Sequence, residues 1–283
     1  MAIKIVIDSA SDIDFEEAKK YGVSLIPMEV RFKEEEYLDG VNLSHKEFFE
    51  KLIESVELPK TSQINPYRFE EEFEKLVSEG DEVIAITVSS KLSGTYRSAV
   101  EASKKFNGKV QVVDSLNASI GERILCLYAL ELIKQGDDIK DIVDKLNGVK
   151  NKINVIALLD TLKYLKKGGR ISAITAFAGE MLSIKPVIGV IDGEVKLIGK
   201  AIGSKKGNNL LNSLVEKKGV DFDMPYGVVW SGIDNSMLQK YVEDSGHLWK
   251  DKAESIPAFM IGSTIGTHIG PGGIGVAFFE RNQ

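Results

Sequence analysis

Val83-Ile84-Ala85-Ile86-Thr87-Val88-Ser89-Ser90-Lys91-Leu92-Ser93-Gly94-Thr95-Tyr96-Arg97 joins an apolar run to a glycine-bearing polar loop and then to the start of an amphipathic helix. Residues 83–88 are rich in Val and Ile and too few for a buried helix, so they read as a strand. The residues after Gly94 read as a helix over 95–106. In an open α/β sheet, ligands collect beyond the carboxyl ends of strands. A hydroxyl and a glycine at a helix start leave backbone N–H groups open to an anion.

The same alternation extends outward. Apolar runs at 3–7, 23–30, 110–113 and 153–159 flank amphipathic stretches at 14–21, 45–56 and 67–78. Asp12 is the cap candidate of the first helix and Gly22 its stop. Phe48, Phe49, Leu52, Ile53 and Val56 share a face in the second; Phe69, Phe73, Leu76 and Val77 share one in the third. This pattern predicts a mainly parallel sheet covered by helices. Further along, Asp192-Gly193 is a two-residue hairpin signal between strands at 186–191 and 194–199. A helix (205–217), a strand (226–230), a helix (235–244) and strands at 258–261 and 274–279 follow. The expected fold class is α/β: a mainly parallel N-terminal α/β domain over 1–160 and a C-terminal α+β domain over 161–283, joined near 160–169.

Composition narrows the function. The chain has 283 residues, 43% of them apolar, enough to bury a sizeable core. A net charge of -6, with aromatics not interleaved among basic patches, argues against nucleic acid as a partner. Cys126 is the single cysteine, so no intramolecular disulfide forms, and its apolar surroundings predict a buried helix. No stretch resembles a signal peptide or a membrane span, so a cytoplasmic protein without stable membrane insertion is expected.

Several motifs fail on context. Gly270-x-Gly272-x-x-Gly275 matches the dinucleotide fingerprint but has too little chain after it for a βαβ unit. Residues 203–207 lack P-loop spacing, and 262–266 carry Thr264 where a nucleophile elbow needs Ser. His45, His247 and His268 are far apart, so no metal is expected. Asp8, Asp12 and Asp14 are explained more simply as caps than as a cation site.

Three stretches carry more. Thr61-Ser62-Gln63 places hydroxyls and an amide in a loop entering the helix at Tyr67, where capping explains them equally well. Ser93 and Thr95 flank Gly94, which favours an anion site over a cap. His268, enclosed by Gly266 and Gly270, is hard to assign to core packing, and its imidazole could hydrogen-bond a carboxylate.

With Ile7-Asp8-Ser9, Val113-Asp114-Ser115, residues 164–170 and Ile184-Lys185-Pro186, these stretches resemble the DegV family of bacterial fatty-acid-binding proteins nearly end to end. The resemblance implies a long-chain fatty acid buried between the two domains. Thr61 and Ser93 would bond its carboxylate, with Ser62, Gly94 and His268 nearby, and no cofactor would be needed. It also implies, for some members, the role of a non-catalytic acyl-carrying subunit. A separate ATP-binding fatty acid kinase subunit would phosphorylate the carboxylate, feeding phospholipid synthesis. Arg97 and Arg170 are further candidates for the carboxylate, and Arg170 for an incoming phosphate or the partner. Two positions depart from the family: Ile64, where proline is common, is expected to loosen its loop, and Glu122-Arg123 stand where small residues are common. On a helix lining the tail, that bulk and charge would alter chain preference.

Energetics fit a carrier. A buried methylene contributes about 0.8 kcal/mol, so a tail of roughly 15 methylenes gains on the order of 12 kcal/mol. The tail sets affinity and the polar groups need only satisfy the head. The competing reading is a serine-dependent lipid hydrolase or acyl transferase, with Ser93 as nucleophile and His268 as base. A third reading takes all three loops as caps and turns.

Overall fold

The computed structural model describes residues 2–171, 184–249 and 255–281. In chain order the first half runs β1 (Ile3–Asp8), α1 (Phe15–Tyr21), β2 (Ser24–Ile26), β3 (Glu29–Phe32), β4 (Glu35–Leu38), α2 (His45–Glu54), β5 (Lys60–Ser62), α3 (Pro66–Ser78), β6 (Glu82–Thr87), α4 (Thr95–Ser103), β7 (Val110–Asp114), α5 (Ile120–Gln135) and α6 (Ile139–Val149). The second half runs β8 (Ile153–Leu158), α7 (Lys163–Gly168), β9 (Ile184–Ile191), β10 (Glu194–Ile202), α8 (Ser204–Lys218), β11 (Gly227–Ser231), α9 (Ser236–Asp244), β12 (Ala258–Met260), α10 (Ser263–Ile269) and β13 (Gly273–Phe279).

The fold is mixed α/β, as expected. A parallel sheet in the order β2-β1-β6-β7 carries the first half. A second sheet, β10-β9-β8-β13-β11-β12, is antiparallel except for its β11–β12 pair. Between them α5 buries Ile120, Ile124 and Leu125 against Ile7 and Ile86 of the first sheet and Val229 and Ala277 of the second. The other face of the second sheet packs Ile156, Val228 and Val276 on Leu211 and Val215 of α8.

Three local expectations change. The apolar run at 23–30 is two strands, because Pro27 breaks it, and β3 joins β4 and β5 in a small antiparallel sheet. Asp14, not Asp12, caps α1, accepting from Glu17 N in a reciprocal capping box. β8, read with the first half, pairs with β9 and β13, and its apolar character reflects burial in the second sheet.

Candidate functional site

A cavity of about 340 Å³ lies between the second sheet, the β6–α4 loop, β5 and α10. One wall is read from strand register. Ile188, Ala157, Gly275 and Val229 form a row across four strands, and all four line the cavity. Ala157 and Gly275 leave a trough in its middle. A Cβ on Gly275 would stand 3.0 Å from Val229 Cγ2 and 3.4 Å from the Ala157 Cβ. Val155, Val190, Val195 and Ile274 continue this apolar surface.

The partly exposed polar lining comes from β5, the β6–α4 loop, Arg170 and His268, and buried Ser119 and Thr264 add to it. β5 pairs Thr61 with Val30 and sets the half-buried Thr61 into the wall. Thr61 Oγ1 is 2.9 Å from His268 Nε2. The imidazole rests on Gly168, where a Cβ would come within 2.4 Å of Nδ1. Burial, and then the Arg170 charge, push the His268 pKa down to about 4, so the ring is neutral. The Arg170 guanidinium donates to the carbonyls of Leu92 (3.3 Å) and Gly168 (2.6 Å), which ties α7 to the β6–α4 loop.

That loop is built around Ser89. Its carbonyl accepts from Leu92 N and Ser93 N, and its hydroxyl donates to the Gly193 carbonyl at the β9–β10 turn, 2.8 Å away. Ser93 Oγ caps the loop's exit, accepting from Thr95 N at 3.2 Å and lying 2.9 Å from Thr95 Oγ1. Gly94 is needed for space: a Cβ there would sit 1.8 Å from Gln63 Oε1. Gln63 in turn donates to Ser98 Oγ, and Ile64 N donates to Thr95 Oγ1 (3.3 Å). Ile64 therefore does not loosen its loop, because it supplies an N–H that proline lacks and a side chain buried among Phe69 and Phe73.

α10 is short, contains Gly266, and is held by two distant carboxylates. Asp39 accepts from Ser263 N (3.0 Å), Thr264 N (3.1 Å) and the Ser263 hydroxyl. Asp12 accepts from Gly262 N (2.8 Å) and from the Ser119 hydroxyl. Burial raises the Asp12 pKa to about 7. Asp8 is pushed to about 7 for the same reason and accepts from Ala10 N and Val88 N.

The structure thus brings Thr61, Ser62, Ser93, Gly94, Arg170 and His268 to one cavity. Arg97 is exposed on α4 and stands outside the lining. Ser93 and His268 hydrogen-bond to Thr95 and Thr61 rather than to each other. Glu122 and Arg123 do not line the cavity. Arg123 lies over the Phe259 ring and pairs with Glu17, and neither of these is a lining residue. His268 sits in a helix, not in a glycine loop. Gly273 opens a strand where the dinucleotide fingerprint needs a helix. Asp39 and Gly168 were missed by the sequence reading, although Gly168-Gly169 before Arg170 hinted at close backbone approach. No helix among the described residues is long and apolar enough to cross a membrane.

A model of the family described as "uncharacterised protein, DegV family" matches residues 2–281. DegV domain-containing proteins of Caldanaerobacter subterraneus subsp. tengcongensis and Clostridium acetobutylicum are 34% and 33% identical, with 99% of each chain covered. Among solved structures, a DegV family protein from Thermus thermophilus, described as fatty acid binding, superposes with a TM-score of 0.87. Its identity is 30%, covering 99% of this chain and 100% of that one. A Thermotoga maritima protein whose structure is described as revealing a fatty acid binding function gives 0.84 at 28% identity, with 99% of this chain and 100% of that one covered. Fold, full-length coverage and sequence agree: this chain belongs to the DegV family.

Proposed function

We propose that this protein binds one long-chain fatty acid, with the tail against the second sheet and the carboxylate held by Thr61 and Ser93. The observation that carries this reading is a mainly apolar cavity whose partly exposed polar lining residues, Thr61, Ser62, Gln63, Ser93, Arg170 and His268, are held close by the Thr61–His268 and Arg170–Leu92 contacts. Relatives described as fatty-acid-binding support it. A neutral His268 donating from Nε2 to Thr61 Oγ1 leaves the threonine hydroxyl hydrogen free for the carboxylate. Ser93 and the backbone N–H groups at the start of α4 add neutral donors, Ser62 and Gly94 lie beside them, and Arg170 supplies positive charge nearby. Binding, rather than catalysis, uses all of these groups.

A carboxylate at the mouth is placed for presentation to a second protein. The finer reading is that a cytoplasmic, ATP-binding kinase subunit phosphorylates it there, with Arg170 meeting the incoming phosphate. Native mass spectrometry of the purified protein should show a bound species of fatty-acid mass, and delipidated protein should take up added palmitate or oleate. A protein that is empty as purified and ignores both would end the reading.

A further inference from the structure

Among the described residues, the cavity wall holds one hydroxyl hydrogen more than its acceptors account for. Ser9 Oγ accepts from Met28 N at 2.9 Å and lies 3.4 Å from Thr264 Oγ1. Both residues are buried, and this single contact serves two hydroxyl hydrogens. If Thr264 donates to Ser9, the Ser9 hydrogen is left behind the wall without an acceptor. If Ser9 donates to Thr264, the free hydrogen belongs to Thr264, which lines the cavity. An unmatched buried donor is costly, and an acceptor inside the cavity removes that cost by selecting the second arrangement.

Ser119 supplies the complementary half. Ser119 also lines the cavity; with Asp12 ionised its hydroxyl hydrogen is committed to that carboxylate, so its oxygen remains able to accept. The same Asp12 carboxylate takes Gly262 N at the start of α10, so Ser119 and the first turn of α10 flank one group. Ser119 holds φ 56° and ψ −139°, a conformation that L side chains rarely adopt, and donates its N–H to the Ala10 carbonyl at 2.6 Å. An alkyl chain can use neither the donor nor the acceptor; an alcohol uses both.

We propose that the cavity takes a fatty acid bearing a hydroxyl near its carboxyl end, with Thr264 donating to that oxygen and Ser119 accepting its hydrogen. This rests on the fatty-acid reading above and adds a class of ligand to it. Position follows from α10. Thr264 and His268 are four residues apart on one helical face, about 6 Å along the axis. Extended chain covers that in roughly five bonds, which places the oxygen near the fifth carbon.

The test is calorimetric titration of delipidated protein with hexadecanoic acid and with its monohydroxylated forms at the third, fifth and twelfth carbons. Wild type should bind the fifth-carbon form roughly three- to tenfold more tightly than the plain acid, and the twelfth-carbon form no better than it. Thr264→Val keeps the side-chain shape; it should erase that preference, so that the fifth-carbon form binds no more tightly than the plain acid. Equal or weaker binding of every hydroxylated form by wild type would overturn the subsite while leaving the fatty-acid reading intact. Failure to bind any of the four would overturn both. Should the valine variant not fold, the wild-type positional series still decides.

Discussion

Thr61 Oγ1 and His268 Nε2 meet at 2.9 Å, although 207 residues of chain separate them. Small-sheet strand and closing helix are fixed to each other by this pair, at the mouth of the cavity. Replacing Thr61 by valine keeps the shape and removes the bond. Palmitate affinity should fall roughly three- to tenfold while affinity for the matching fatty alcohol changes less, as titration of both ligands would show. Equal losses for both would place the head group elsewhere.

Gly168 sets the imidazole from behind. A methyl group there would come within 2.4 Å of His268 Nδ1. Gly168→Ala should therefore push the ring off Thr61 and weaken palmitate binding about as much as the valine change does. Because both variants break one contact, the double variant should be little worse than either alone. Additive losses in the double-mutant cycle would refute the shared mechanism.

Protonation leads to two opposite slopes. Asp8 and Asp12 have folded-state pKa values near 7, above the ordinary 3.8, so their stability is complete at low pH and lost as pH rises toward 7. Each contributes up to about 1.4 kcal/mol per pH unit across that window. His268, lowered from 6.5 to about 4, destabilises the fold only as pH falls through that interval. The melting temperature should rise from pH 8 to pH 6, and Asp12→Asn should flatten that rise. Thermal scans showing the variant as steep as wild type would contradict the assignment.

Glu122 is fully buried, and neither carboxyl oxygen has a hydrogen-bond partner among the described residues. Burial, with Asp8 and Asp12 nearby, raises its pKa well above the ordinary value, so the folded state holds it neutral. Glu122→Gln keeps that neutrality and removes the cost of protonating the group on folding at high pH. The variant should melt higher than wild type at pH 8 and alike at pH 4. A loss of stability at both would show that the carboxyl has a structural partner.

Much of this was legible in the sequence where chemistry is local. Val83-Ile84-Ala85-Ile86 declares β6 by composition, Asp192-Gly193 declares the β9–β10 turn, and Ser93-Gly94-Thr95 declares a helix start with room for a ligand. What stayed hidden depends on partners far along the chain. α10 has a glycine at its centre, and it is helical because Asp39 and Asp12 take its first N–H groups. β4, with Glu35 and Glu36, lacks an apolar run and exists through its pairing with β3. Arg123 looked like an intrusion on the tail, but its direction is fixed by Glu17 and Phe259, which spacing cannot reveal.

β13 lies at the centre of the second sheet, between β8 and β11, yet follows every other strand of that sheet in the chain. During ribosomal synthesis β8 and β11 must wait with open edges until Gly273–Phe279 emerges. The trough at Gly275 and the helix bearing His268 form over the same interval. On the proposed function, an acyl chain is captured only after translation has passed this strand, and a ribosome stalled shortly before it displays a sheet that invites β pairing with a neighbouring chain.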